Sequence, residues 1–163
     1  MSIEIKNFIV EQIGEDAIVG VQETGLQGAI YVNEKDLVSI CLLLRDAPAY
    51  YFDFLANITA VDFHPEPYFE IVYHLTSIPY QKQLTLKVKL SIDRVEDKLP
   101  EIDSVTTVWR TADWHEREIF DLMGVYFRNH PDLRRILMPD DWQGFPLRKD
   151  YVDPETYHDI PVK

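Results

Sequence analysis

The stretch Leu84 to Ile92, LTLKVKLSI, most constrains what this chain can fold into. Leu84, Leu86, Val88, Leu90 and Ile92 alternate with Thr85, Lys87, Lys89 and Ser91, which is the two-residue period of a strand with one dry face and one wet face. A strand of that kind belongs to a sheet covered on one side, so the chain needs helices to form the second layer. Tyr68 to Thr76 repeats the pattern, with Phe69, Ile71, Tyr73 and Leu75 on one side. Phe52 to Phe63 is extended but lacks clean alternation, which predicts burial on both faces.

Helical spacing over Ile3 to Ile13 predicts a first helix. The segments AIVGV (17–21) and AIYVN (29–33) read as a hairpin joined through a glycine-containing turn. Asn33 is suited to cap a helix over 34–46, with Glu34 and Asp36 in its first turn and Leu37, Ile40, Cys41 and Leu44 on one face. A last helix follows from Val105, Val108, Trp109, Ala112, Ile119 and Met123, and Gly124 sits where a left-handed C-terminal cap belongs. The expected fold is α+β: a mixed or antiparallel sheet with helices packed on one face over residues 1–124. An irregular, extended C-terminal arm over 125–163 completes it.

At 163 residues a single domain can bury about two-thirds of its unfolded surface, so the core needs no covalent staples. The lone Cys41 lies among Ile40, Leu42 and Leu43 and reads as a core thiol in a reducing compartment. A net charge of −12 argues against nucleic acid as a partner. The acidic, amphipathic N-terminus is not patterned as a secretory signal, and apolar runs such as ICLLL are too short to cross a bilayer. Direct membrane insertion is therefore not expected.

Charge placement in the last third is unusual. Glu116 falls on the apolar stripe of the last helix, where a carboxylate must be paired, and an arginine from elsewhere is the expected partner. Arg117 and Asp121 are spaced to pair with each other. Six of the eight arginines follow Trp109, and five of the ten prolines lie between Pro131 and Pro161. Proline at that density blocks long helices and central strands. A short helical turn over Asp132 to Leu137 is expected. Beyond it, Trp142, Phe145 and Leu147 mixed with arginines resemble a protein–protein contact. The expected partner-binding residues are His130, Pro131, Arg134, Arg135, Trp142, Pro146, Leu147, Arg148, Lys149, Asp150 and Tyr151.

Signs of catalysis are sparse. The histidines at 64, 74, 115, 130 and 158 share no metal-ligand spacing, and HERE (115–118) lacks the second histidine of a zinc-protease motif. There is no glycine-rich phosphate loop and no evident nucleophile pair. Glu116, Glu118 and Asp121 could in principle form the acid–base cluster of a hydrolase; a free-standing adaptor with a basic arm is a further alternative.

The stretches WHEREIFDLMG (114–124), HPDLRRILMP (130–139) and PLRKDY (146–151) resemble one family: the 30-kilodalton or C subunit of respiratory complex I, the proton-pumping NADH:quinone oxidoreductase. The family pattern E-R-E-x-x-D-x-x-G falls on Glu116, Arg117, Glu118, Asp121 and Gly124, and TAVDF (59–63) and YHLTS (73–77) are similar to family segments. The resemblance implies a non-catalytic structural subunit of the hydrophilic arm that binds no cofactor, the flavin mononucleotide and iron–sulfur clusters being carried by other subunits. It further implies that the C-terminal segment wraps the quinone-binding, hydrogenase-like D subunit, with the B, I and G subunits as neighbours. Such a complex would hold the chain peripherally at the cytoplasmic face of the cell membrane. The short stretch after Tyr151 implies the form not fused to the D subunit. Related complexes, namely membrane-bound hydrogenases and dehydrogenases using coenzyme F-420 or ferredoxin, contain an equivalent subunit, and nothing in these residues selects the electron donor.

Overall fold

The computed structural model describes residues 2–24, 28–94 and 98–162. Its centre is a five-stranded mixed sheet in the order β1-β2-β5-β4-β3. The strands are β1 (Ile18–Gln22), β2 (Ala29–Val32), β3 (Phe54–Asp62), β4 (Tyr68–Ser77) and β5 (Lys82–Ser91). All neighbours are antiparallel except β2 and β5, which run parallel. A parallel pair cannot be joined by a tight turn. The chain between them passes through α2 (Leu37–Asp46) and then through β3 and β4. The turn expected between β1 and β2 falls partly on 25–27, outside the described residues.

The expected single-sided cover is present. Ile5 and Ile9 of α1 (Ser2–Gln12) and Leu37, Ile40, Cys41 and Leu44 of α2 share one core with the inward residues of β4 and β5. Ala112, Ile119 and Met123 of α3 (Ala112–Met123) join the same core. Asn33 caps as expected, its side chain accepting the Lys35 N–H at 3.4 Å, but the first turn it caps, Glu34–Asp36, is 3-10 in geometry before α2 begins.

Two expectations about the strands and the last helix need correction. Phe52 to Phe63 is not buried on both faces: β3 is an edge strand, and Phe54 and Val61 are exposed. Its alternation is broken by a bulge, since Leu55 pairs with Leu75 while Asn57 pairs with His74, which leaves Ala56 as an extra residue. A bulge shifts the inward face by one position, so Leu55 and Ile58 both point into the core. The last helix likewise begins at Ala112, not near Val105. Residues 105–111 form hydrogen-bonded turns that still bury Val105, Val108 and Trp109. Before them lies β6 (Glu101–Asp103), which pairs in parallel with β7 (Tyr126–Arg128) across α3.

That pairing also moves the expected boundary at residue 124. Val125 and Phe127 are buried in the domain core, so the folded unit continues through β7. Beyond it the chain is mostly irregular, with only the short pair β8 (Thr156–Tyr157) and β9 (Ile160–Pro161).

At the middle of the core, the Tyr73 hydroxyl is buried without a hydrogen-bond partner. An unsatisfied buried hydroxyl costs free energy that an apolar ring would not. Tyr73→Phe is expected to raise the unfolding free energy by about 1 kcal/mol, measured by urea denaturation. A loss of stability would show that the hydroxyl is hydrogen-bonded in solution.

Candidate functional site

An α-helix leaves its last carbonyls without intrahelical partners, and in α3 the C-terminal segment supplies them. Arg135 Nη1 donates to the Asp121 carbonyl at 2.9 Å, and the Leu147 N–H donates to the Leu122 carbonyl at 2.9 Å. Arg148 donates from Nε to the Met123 carbonyl at 2.6 Å and from Nη2 to the Gly124 carbonyl at 3.0 Å. Gly124 is left-handed, with φ of 67°, as its position predicted. A Cβ there would lie 2.5 Å from the Phe145 ring and 2.6 Å from Arg148 Nη2, so the close approach of the segment also requires glycine. The Arg148 guanidinium stacks 4.5 Å from the Phe145 ring centroid and puts positive charge at the negative end of the helix.

Asp121 is the second fastening. It is fully buried: Oδ1 accepts from Arg135 Nη1 at 2.7 Å, and Oδ2 accepts the backbone N–H groups of Ile136, Leu137 and Met138 at 3.0, 2.6 and 2.9 Å. The expected Arg117–Asp121 pair and the expected helical turn over 132–137 are therefore both absent. A helical turn over 132–137 would give the Ile136 and Leu137 N–H groups to carbonyls four residues back, and here both go to Asp121. Burial works to raise the pKa of this carboxyl, but the N–H groups of Met138, Leu137 and Ile136 together with Arg135 outweigh it and hold it below its ordinary value.

Farther along, the segment closes on the end of β3. The Lys149 N–H donates to Asp62 Oδ2 at 2.9 Å, and Asp150 pairs with Arg94 at 2.9 Å while Arg94 also grips Asp62. Asp62 points into the core opposite Phe69. Burial would raise its pKa, yet Arg94 and the Lys149 and His64 N–H groups hold it low. Trp142 Nε1 donates to the Tyr151 hydroxyl at 3.1 Å, and its ring packs on Tyr157 at 5.1 Å.

The residues expected to grip a partner thus divide. Arg135, Arg148, Lys149 and Asp150 hold this chain's own domain, through side chains or backbone, and Trp142 and Tyr151 hold each other. Pro146 is half-buried, Pro131 is exposed, and Arg134 is exposed and pairs with nearby Asp132 at 3.0 Å. The Leu147 side chain is 59% exposed although its N–H is fastened. Asp62, Arg94 and Ser104 escaped the sequence reading, although a carboxylate at an inward strand position, once the bulge is placed, marks Asp62. Asp121→Ala would strip the largely buried Arg135 of its carboxylate, and the expected cost is roughly 3–5 kcal/mol, with faster amide exchange across 132–151. Unchanged exchange there would show that Asp121 does not fasten the segment.

Glu116 is fully buried, as its place on the apolar stripe required, but its partner is not an arginine. Ser104 Oγ donates to Oε2 at 2.6 Å and the Val105 N–H donates to Oε1 at 2.8 Å. His130 Nε2 stands 4.0 Å from Oε2, in reach of the Asp113 carbonyl at 3.2 Å, while its Nδ1 accepts the Asp132 N–H at 3.0 Å. Burial raises the pKa of Glu116 to about 7, against the lowering effect of Ser104 and Val105. Two carboxylates on one helix are thereby driven in opposite directions by their surroundings.

Because folded Glu116 holds its proton more tightly than the unfolded chain does, its contribution is full below pH 4.5 and declines as pH rises towards about 7. Once Glu116 is ionised, the loss is about 3 kcal/mol. Asp62 and Asp121 act in the opposite sense, stabilising above their ordinary pKa of 3.8 and losing effect as pH falls below it. Glu116→Gln is expected to remove the decline between pH 5 and 8, followed by urea unfolding. An identical slope in the variant would assign the titration to another group.

The three carboxylates considered for hydrolysis do not converge: Glu116 and Asp121 are buried in separate hydrogen-bond sets, and Glu118 is exposed. Among the described residues no cluster of three histidine, cysteine or carboxylate side chains is arranged to hold a metal ion, and no helix is long and apolar enough to cross a membrane.

Fold and site define a two-layer α+β chain whose charged motif fastens its own C-terminal segment. A protein in the structure of the membrane-bound sulfane sulfur reductase, an archaeal respiratory membrane complex, shares the fold, with a TM-score of 0.73 over 93% of this chain and 85% of that one at 23% identity. The profile of the respiratory-chain NADH dehydrogenase 30 Kd subunit matches residues 30–157. The C subunit of NADH-quinone oxidoreductase from Roseiflexus sp. (strain RS-1) is 44% identical over 83% of this chain and 75% of its own length. Its counterpart from Geobacter sulfurreducens is 46% identical over 83% of this chain and 80% of its own. This chain belongs to the family of the 30 Kd subunit of respiratory-chain NADH dehydrogenase.

Proposed function

We propose that the chain is a structural subunit of the hydrophilic arm of a complex I-type NADH:quinone oxidoreductase. It braces the quinone-binding D subunit and neighbours the B, I and G subunits. The flavin and the iron–sulfur clusters belong to other subunits, and this chain contributes shape rather than chemistry. Its partners hold it at the cytoplasmic face of the membrane.

The observation that carries this reading is the state of the C-terminal segment. Arg135 and Arg148 are spent on the chain's own helix end, while Leu137, Leu147, Val152 and Ile160 project outward. A segment fixed from within that presents apolar side chains without is suited to lie against another protein.

The test uses a genomic tag on the full chain and detergent-solubilised membranes. The expected result is co-purification of the remaining oxidoreductase subunits with NADH:quinone activity, and loss of that activity from membranes of a deletion strain. Recovery of the tagged chain alone, with full membrane activity in the deletion strain, would overturn the reading.

A further inference from the structure

Trp114, on the first turn of α3, is 64% exposed. Its ring lies 5.0 Å from the Arg117 guanidinium. Arg117 itself is only 7% exposed, yet its contacts are long: Nε donates to the Arg134 carbonyl at 3.4 Å, and Nη1 stands 3.9 Å from Asp113 Oδ1. Neither terminal nitrogen makes a hydrogen bond among the described residues, and neither is sealed from solvent. A nearly buried guanidinium whose terminal nitrogens have only that long ion contact with Asp113 gains from an acceptor that fills its fork. The carboxylate beside it is equally unfinished, since Asp113 Oδ1 is buried with no hydrogen-bond partner.

Helical spacing puts Trp114, Glu118 and Leu122 on one line down α3. The docked segment extends that surface: Leu137 gives its N–H to Asp121, and the Leu147 N–H is bonded to the Leu122 carbonyl. Leu137 is 62% exposed, close to the value for Leu147. Arg134, at the Arg117 end, is exposed too. The result is a surface that combines Trp114, Leu122, Leu137 and Leu147 with the exposed Glu118 and has the Arg117 fork at one end.

From this we infer that Trp114 and Arg117 form the anchor of the partner interface. They receive a segment of the neighbouring subunit that brings an aspartate or glutamate to the Arg117 fork and apolar side chains onto Trp114, Leu137 and Leu147. Arginine binds a carboxylate through two parallel N–H bonds, and the stacked indole fixes the fork in place before contact. Tryptophan and arginine are also among the residues most enriched where interfaces concentrate their binding energy. Complementarity selects the occupant: the open donors of the Arg117 fork call for an acceptor, which a carboxylate supplies and a basic side chain cannot. The inference rests on the reading of the chain as a subunit of a larger complex, and it shifts the recognition residues from the arm's internally engaged arginines to the outer side of α3.

The test replaces Trp114 with the photo-cross-linker benzoylphenylalanine in the tagged full chain and irradiates the complex in membranes. The expected product is a cross-link to another subunit, at a peptide containing aspartate or glutamate. In parallel, Trp114→Ala and Arg117→Lys are expected to lower the amount of co-purified subunits ~10-fold or more, with the melting temperature of the purified full chain little changed for Trp114→Ala. Cross-linking to lipid or to a second copy of this chain would overturn the inference, as would full recovery of subunits with both variants. Failure of the wild-type chain to retain any subunit overturns the proposed function instead, so the two failures are distinguishable.

Discussion

The end of α3 is the joint on which the rest depends. Its last turn exposes carbonyls that water would ordinarily satisfy, and here Arg135, the Leu147 N–H and Arg148 satisfy them. Those bonds cannot form unless the irregular segment lies across the helix, and the segment has little periodic structure of its own to hold it elsewhere. Asp121 makes the arrangement specific. A buried carboxylate that accepts three successive N–H groups and a guanidinium leaves few alternative paths for residues 135–138. Gly124 completes the joint by providing both the left-handed turn and the space that Phe145 and Arg148 occupy.

The one-sided sheet sets where that joint can sit. Helices cover the inner face, so α3 must lie against the sheet with its apolar stripe inward, alongside edge strand β3. The bulge at Ala56 then turns the far end of β3 so that Asp62 faces the core, where it meets Arg94 and the Lys149 N–H. Two buried carboxylates, one on a helix and one on a strand, thereby clamp the two ends of the same segment. Each is stabilised by N–H donors as well as by arginine, the condition under which a buried charge is tolerable.

Much of this was legible from sequence where a single period governs. The alternation in 84–92 and 68–76, the helix after Asn33 and the left-handed Gly124 follow from local rules, and so does the two-layer arrangement. The misses share a cause: each turned on a partner distant in sequence. Glu116 was recognisable as buried, but its hydrogen-bond donors, Ser104 and the Val105 N–H, lie in a turn that helical spacing disguised as helix. Arg117 and Asp121 have the correct spacing to pair, yet Asp121 gains more from three N–H groups and Arg135 than from one helix neighbour. The arginine-rich segment stands out in composition. Composition alone cannot tell whether such arginines reach for a partner or for the chain's own helix end, because the same fork geometry serves both.

That ambiguity has a physical consequence for assembly. A segment that is disordered until it binds gives up conformational freedom at the moment of contact, which weakens association for a given area. Here the ordering free energy is supplied within the chain, by the helix end and by Asp62 and Asp121. A surface fixed in this way loses little more on docking, so more of its contact energy appears as affinity. The division also separates the effects of substitution. Side chains that fasten the segment act on the stability of the domain, whereas the exposed Leu137 and Leu147 side chains, and Trp114, which stacks on Arg117, are free to act on association. Arg117 stands between the two sets, its Nε bonded to the Arg134 carbonyl and its fork in only long contact with Asp113. A cation in that position gains most when a carboxylate arrives, which is why the outer side of α3, rather than the arginines already engaged, is where specificity for another chain concentrates.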